Sequence, residues 1–166
     1  MTVFYWTLAF VASQRLAELA WAAHNTARLR RLGAVEADPG GYPYFVVLHA
    51  GWLLSLPLLM PAAVQPSWLL FGLFVLLQPI RLWAILSLGH YWSTRLLTLP
   101  GAPLVCTGPY RWVRHPNYLI VTAEIALLPL AFGAFAIAAV FCCLNLTLII
   151  RRIAIEDAVL APRRGL

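Results

Sequence analysis

Residues able to do polar chemistry gather in two stretches of this chain. One is Gly108-Pro109-Tyr110-Arg111-Trp112-Val113-Arg114-His115-Pro116-Asn117-Tyr118, which packs two arginines, a histidine and three aromatic residues into a short run. The other is Arg151-Arg152-Ile153-Ala154-Ile155-Glu156-Asp157. A proline directly after His115 suits the first turn of a helix, because its fixed φ is helical and its missing N–H would be unpaired there anyway. His115 then stands at a helix N-terminus, where free N–H groups and a partial positive charge favour a carboxylate or phosphate. Arg152 and Glu156 are four apart and share a helix face, so Glu156 can point into a pocket; the competing reading is a juxtamembrane basic pair capped by an exposed acid. Arg, His, Tyr and acidic side chains at the mouth of a bundle suit a zwitterionic ligand beside a lipid.

The elements that must position these residues lie in a membrane. Of 166 residues, 62% are hydrophobic and 11% charged, with a mean hydropathy of +0.81, against about 25% charged in soluble domains. The net charge of +6 comes entirely from arginine. In this setting the excess marks cytoplasmic loops and anionic lipid rather than nucleic acid, and nothing implies an obligate protein partner. Cys106, Cys142 and Cys143 have no metal-ligand spacing, so neither a metal nor a disulfide is expected. The first apolar segment lacks the basic flank and cleavage site of a signal peptide and is expected to stay as a span.

Five apolar segments approach the roughly 20 residues that a span needs. Val3 to Ala23 is the first, with Arg15 and Glu18 three apart on one face and able to pair with each other. The polar stretch His24 to Gly41 could hold an interfacial helix before the Asp38-Pro39-Gly40-Gly41 turn. Tyr42 to Met60 follows, with His49 expected to be a satisfied packing histidine, and the uncharged link Pro61 to Ser67 leads to Trp68 to Leu88. Near the end of that third span, Pro79 predicts a kink and Arg81 is expected to snorkel to the interface. The long connection from Gly89 to Pro116 is rich in aromatics and prolines and is expected to be ordered and functional. Tyr118 to Phe132, containing Glu124, and Phe135 to Ile150 then form a tight hairpin, the last helix continuing through Arg151 to Asp157. Arginines crowd the first and third connections and the C-terminus, which predicts an N-terminus outside, a C-terminus in the cytoplasm, and both polar stretches on one side.

The run Gly89-His90-Tyr91-Trp92-Ser93, then Gly108-Pro109-Tyr110, Arg114-His115-Pro116-x-Tyr118, and finally Arg152 with Glu156-Asp157 resembles the isoprenylcysteine carboxyl methyltransferase family, membrane enzymes related to phospholipid methyltransferases. The resemblance covers about Leu82 to Leu160. It implies an all-α integral membrane protein, a bundle of about five transmembrane helices with a cytoplasmic-side cofactor pocket. The single domain, 1–166, would comprise an N-terminal three-span part, 1–81, and a methyltransferase-like catalytic part, 82–160. The short chain is similar to the minimal bacterial-type members, which implies a bacterial inner membrane. The cofactor implied is S-adenosylmethionine, with no metal. His115, Pro116, Tyr118, Arg152, Glu156 and Asp157 would line its pocket, and Arg114 would orient the methyl-accepting group, with Glu156 as the other catalytic residue. The acceptor implied is lipophilic: a carboxylate or hydroxyl oxygen of an isoprenylcysteine-like or polyketide-derived lipid. The family usually shows a glutamate pair where this chain has Glu156-Asp157, and a glycine where it has Leu119-Ile120; both departures bear on the acceptor more than the cofactor. A phospholipid N-methyltransferase, and a non-enzymatic scaffold or transporter subunit, are the alternatives.

Overall fold

A computed structural model gives the fold of residues 2–61 and 63–164, Arg164 without its side chain. Five α-helices follow one another: α1 (Val3–Arg31), α2 (Tyr42–Leu59), α3 (Trp68–Leu88), α4 (Pro116–Ala131) and α5 (Phe135–Leu160). The protein is an all-α membrane bundle. Among the described residues, three helical stretches, Tyr42–Leu59, Trp68–Tyr91 and Phe135–Arg163, are long and apolar enough to cross a bilayer. α4 has 16 residues, about 24 Å at the helical rise. α1 has the length, at 29 residues, but carries charge in its middle and at its end.

The bundle is built in three tiers. At the end where α4 turns into α5, Phe4, Leu8 and Val11 of α1 pack with Trp52 and Leu56 of α2, Phe74 of α3, and Leu128 and Phe132. The rings of Phe4 and Phe132 meet edge-on at 4.9 Å. Lipid is as apolar as leucine, so this tier holds by close packing rather than by escape from water.

The middle tier is ionic. Arg15 and Glu18 pair at 2.8 Å as expected, and the pair extends to two further helices. Arg81 of α3 grips Glu18 with two nitrogens, Nε at 2.7 Å and Nη2 at 2.6 Å, and donates through Nη1 to Glu124 of α4 at 2.9 Å. Arg15 also donates to Glu124, at 2.7 Å, and Gln78 does so at 3.1 Å. This corrects the expectation that Arg81 snorkels: it is 4% exposed and turned inward. Two carboxylates within bonding reach offset its desolvation without a route to the interface. α3 runs unbroken through Pro79. His49 donates from Nδ1 to the Phe45 carbonyl of its own helix, 2.7 Å away, the expected packing role.

The third tier carries the polar loops. No separate interfacial helix forms after Ala23; α1 continues to Arg31 in one piece. It continues because Asn25 and Thr26 have partners off the helix. Asn25 donates to the Gly89 and Trp92 carbonyls, and Thr26 shares a hydrogen bond with Ser93. Beyond α1, β1 (Val35–Glu36) pairs antiparallel with β2 (Leu97–Thr98), Val35 opposite Thr98, so the first and third connections share one face of the bundle. Arg151 of α5 clamps Asp38 through two nitrogens, at 2.9 and 2.8 Å. Gly41 sits against that clamp, where a Cβ would fall 1.9 Å from an Asp38 oxygen. Any side chain there would push the Asp38 carboxylate and the Arg151 guanidinium out of their clamp.

Candidate functional site

His115 caps α4 and Pro116 opens it, as the sequence predicts. The short α4–α5 turn then folds α5 back antiparallel, so the first turn of α4 meets the last two turns of α5. Tyr118 lies between them: its hydroxyl donates to Glu156 Oε2 at 2.6 Å and accepts from Arg152 Nε at 3.0 Å. Arg152 and Glu156 share the face expected from their spacing, and they meet through the tyrosine oxygen. The other end of the Arg152 guanidinium donates to the Thr94 carbonyl at 2.9 Å, and its carbon lies 5.0 Å from the Phe45 ring centre.

His115 stacks on Tyr118, centroids 5.4 Å apart and rings within 14° of parallel. Its two nitrogens each face a carboxylate: Nδ1 is 3.6 Å from Glu156 Oε2, and Nε2 is 3.3 Å from Asp157 Oδ1. A neutral imidazole has one N–H to give, whereas the imidazolium has two, so this arrangement favours the charged ring. The nearby Glu156 carboxylate accordingly raises the His115 pKa above its ordinary 6.5, with the Asp157 charge adding to the effect against partial burial.

The Gly108-Pro109-Tyr110 segment forms a 3-10 turn packed on the end of α3. Gly108 has φ +57°, and a Cβ there would sit 2.0 Å from Ser87 Oγ, so the turn needs glycine twice over. Burial, and then the Glu156 charge, push the Tyr110 phenol above its ordinary value, which keeps it protonated.

The structure thus gathers His115, Tyr118, Arg152, Glu156 and Asp157 into one bonded group, with Pro116 setting the helix start. It does not gather Arg114, which is exposed and bonds to no described residue. Sequence reasoning missed Thr94 and Phe45, whose residue types carry no signal, and Asp38, whose arginine partner lies more than a hundred residues away. A recess of about 30 Å³ opens beside Glu156, walled by Ala37, Leu96 to Thr98, Val159 and Leu160. β2, with Ala37 just past β1, therefore roofs the acid.

Residues 69–162 match the isoprenylcysteine carboxyl methyltransferase (ICMT) family, a stretch that opens at the start of α3 and closes just past α5. The chain is also 39% identical, over 95% of its own length and 96% of the other's, to an uncharacterized protein, YpbQ, of Bacillus subtilis (strain 168). No solved structure matches. The matched stretch exceeds half of the chain and contains every member of the bonded group, and on that ground the chain belongs to the isoprenylcysteine carboxyl methyltransferase family of membrane methyltransferases.

Proposed function

We propose that this protein transfers a methyl group from S-adenosylmethionine to a carboxylate or hydroxyl oxygen of a lipophilic acceptor, an isoprenylcysteine-like or polyketide-derived lipid. The observation that carries the reading is the group in which Tyr118 joins Arg152 to Glu156 while His115 faces Glu156 and Asp157. The family implies the cofactor, and the residues fit its parts. Glu156 and Asp157 suit an ammonium or ribose hydroxyls, the apolar wall of Leu96, Leu97, Val159 and Leu160 suits an adenine, and the N-terminus of α4 suits a carboxylate. Asn117, between His115 and Tyr118 in the chain, keeps a buried Oδ1 with no partner among the described residues, an acceptor placed for a ligand donor. The recess beside Glu156 holds a water or two, so a nucleoside requires the β1–β2 pair to move off α5.

When bound, the sulfonium supplies an electrophilic methyl: its carbon–sulfur bond breaks as the acceptor oxygen forms the new carbon–oxygen bond, leaving a neutral thioether. What this chain contributes is position and dryness, the main sources of rate in an in-line displacement. A carboxylate acceptor arrives ionised and needs no base. A hydroxyl needs one, a role open to Glu156 and to His115 in its neutral form. Arg114, exposed and unpaired among the described residues, is available to reach an acceptor. The membrane orientation that suits these roles has the β1–β2 pair and the C-terminus in the cytoplasm, following the arginine distribution.

Calorimetric titration of the detergent-solubilised protein with S-adenosylhomocysteine tests the reading. Micromolar binding is expected, weakened about tenfold or more by His115→Ala and by Glu156→Gln, the scale of one hydrogen bond to a charged group. No binding by protein shown to be folded would overturn the proposal.

A further inference from the structure

A second recess, larger at about 270 Å³, lies between α1, the start of α2 and the chain just before β2, with Thr94 and Arg95 in its wall. Its floor is Leu19, Ala23 and Ala27, which recur every fourth residue and so line one face of α1. No helix covers that face; Leu19 is 42% exposed. The lower part falls in the predicted first span, so the bilayer itself supplies what lies on it.

The rim is cationic. Arg30 and Arg95 both bind Glu36, at 2.6 and 2.8 Å, which leaves one positive charge in surplus. Each arginine gives that carboxylate a single nitrogen, and their other side-chain N–H groups bond to no described residue. Arg95 is held in place by the Tyr42 ring, 4.1 Å below its guanidinium carbon. The recess also touches the site described above. Thr94 lines it, and the Thr94 carbonyl takes its hydrogen bond from Arg152, the residue that binds the Tyr118 hydroxyl.

We infer that this recess seats the acceptor: a single-chain lipid whose head bears an acidic oxygen, carboxylate or phenolate, held at Arg95 and Arg30 with its chain along the Leu19, Ala23 and Ala27 face. The inference rests on the methyl-transfer reading and extends it by naming where the acceptor binds and which residues select its charge. An anionic oxygen answers the surplus cation, fits arginine forks with free donors, and matches the charge balance of the transfer, in which a cationic sulfonium and an anion give two neutral products. A zwitterionic phospholipid brings its own ammonium and two chains and fits neither the rim nor the narrow floor.

The test places a reporter thiol on the floor. Ala27→Cys is made in a background of Cys106→Ser, Cys142→Ala and Cys143→Ala, and its labelling by a maleimide is timed in phosphatidylcholine liposomes. N-acetyl-S-farnesylcysteine, ionised at pH 7, is expected to slow labelling at least fivefold, and 3-pentadecylphenol, whose hydroxyl keeps its proton there, to protect less. The methyl ester of the first should not protect; Arg95→Gln should abolish protection and Arg95→Lys restore part of it. Ala23→Cys gives the same readout one turn deeper should Ala27→Cys fail to fold. The inference falls if neither lipid protects, if the methyl ester protects equally, or if Arg95→Gln changes nothing. Protection of the Ala27→Cys thiol by the lipid acids, in protein that binds no S-adenosylhomocysteine, would keep the recess as a lipid-acid site and reject the methyl-transfer reading alone.

Discussion

Replacing Glu124 by glutamine changes little in shape and removes one charge from the centre of the bundle. Glu124 is 1% exposed and accepts from Arg15, Arg81 and Gln78. The wild-type group of Arg15, Glu18, Arg81 and Glu124 is neutral; Glu124→Gln leaves it at +1 in a medium that cannot solvate the excess. Removing one member of a buried pair costs about 3–5 kcal/mol. The lower end applies here, because the glutamine oxygen still accepts one bond and Glu18 keeps its two-nitrogen grip from Arg81. The expected loss is about 3 kcal/mol, roughly 150-fold in the unfolding equilibrium. Arg15→Gln combined with Glu124→Gln restores neutrality and leaves the Arg81–Glu18 pair whole. That double variant should be more stable than Glu124→Gln alone, by about 1–2 kcal/mol, a coupling typical of contacting residues. Unfolding of the purified protein in mixed micelles of dodecylmaltoside and rising dodecyl sulfate, followed by tryptophan fluorescence, measures all three. Glu124→Gln within about 1 kcal/mol of wild type, or a double variant weaker than both singles combined, would refute a dry, charge-balanced joint.

Other consequences are testable on the same material. Because the folded state raises the His115 pKa, the ring's stabilisation is complete below 6.5 and fades as pH rises through the higher folded value; the gap in thermal midpoint between wild type and His115→Gln should therefore shrink from pH 6 to pH 9, and a constant gap would exclude a charged ring. Arg152→Lys keeps the charge but cannot reach both the Tyr118 hydroxyl and the Thr94 carbonyl, and S-adenosylhomocysteine titration should show about a tenfold loss. Equal affinity would mean that the bridge is idle.

Much of the fold is legible in the sequence because hydrophobic length and arginine placement are local signals. The α4–α5 hairpin, the Asp38 to Gly41 turn and the seat of His115 before Pro116 all follow from nearest-neighbour chemistry. Arg81 shows where such reading stops. A lone arginine near a proline in an apolar run fits an interfacial position equally well, and only the convergence of α1, α3 and α4 supplies the two carboxylates that turn it inward. α1 persists past Ala23 for a similar reason: Asn25 bonds to backbone carbonyls more than sixty residues away, which no periodicity in α1 announces. The site residues fall between these cases. Their spacing on α4 and α5 shows in the motifs, whereas Thr94 and Phe45 enter only through backbone and ring positions.

The partners of the acids divide them by role. The chain has six acidic residues, and four of them meet arginine: Glu18 and Glu124 in the bundle, Glu36 under Arg30 and Arg95, Asp38 under Arg151. An arginine is always charged, so those four are fixed in state and serve as joints between α1, α3, α4, the strand pair and α5. Glu156 and Asp157 also face His115, a cation that can give up its proton. A ligand ammonium can replace that imidazolium, the histidine giving up its proton as the new charge arrives, whereas no ligand of ordinary affinity displaces a buried guanidinium. Glu156 lines the recess under β2, so an exchangeable counter-charge lies where the cofactor reading requires it. S-adenosylhomocysteine binding should consequently release protons below the His115 pKa and release fewer above it. Titrations repeated in buffers of different ionisation enthalpy would show this as a change in apparent heat, and the same heat in every buffer at pH 6 would refute the exchange.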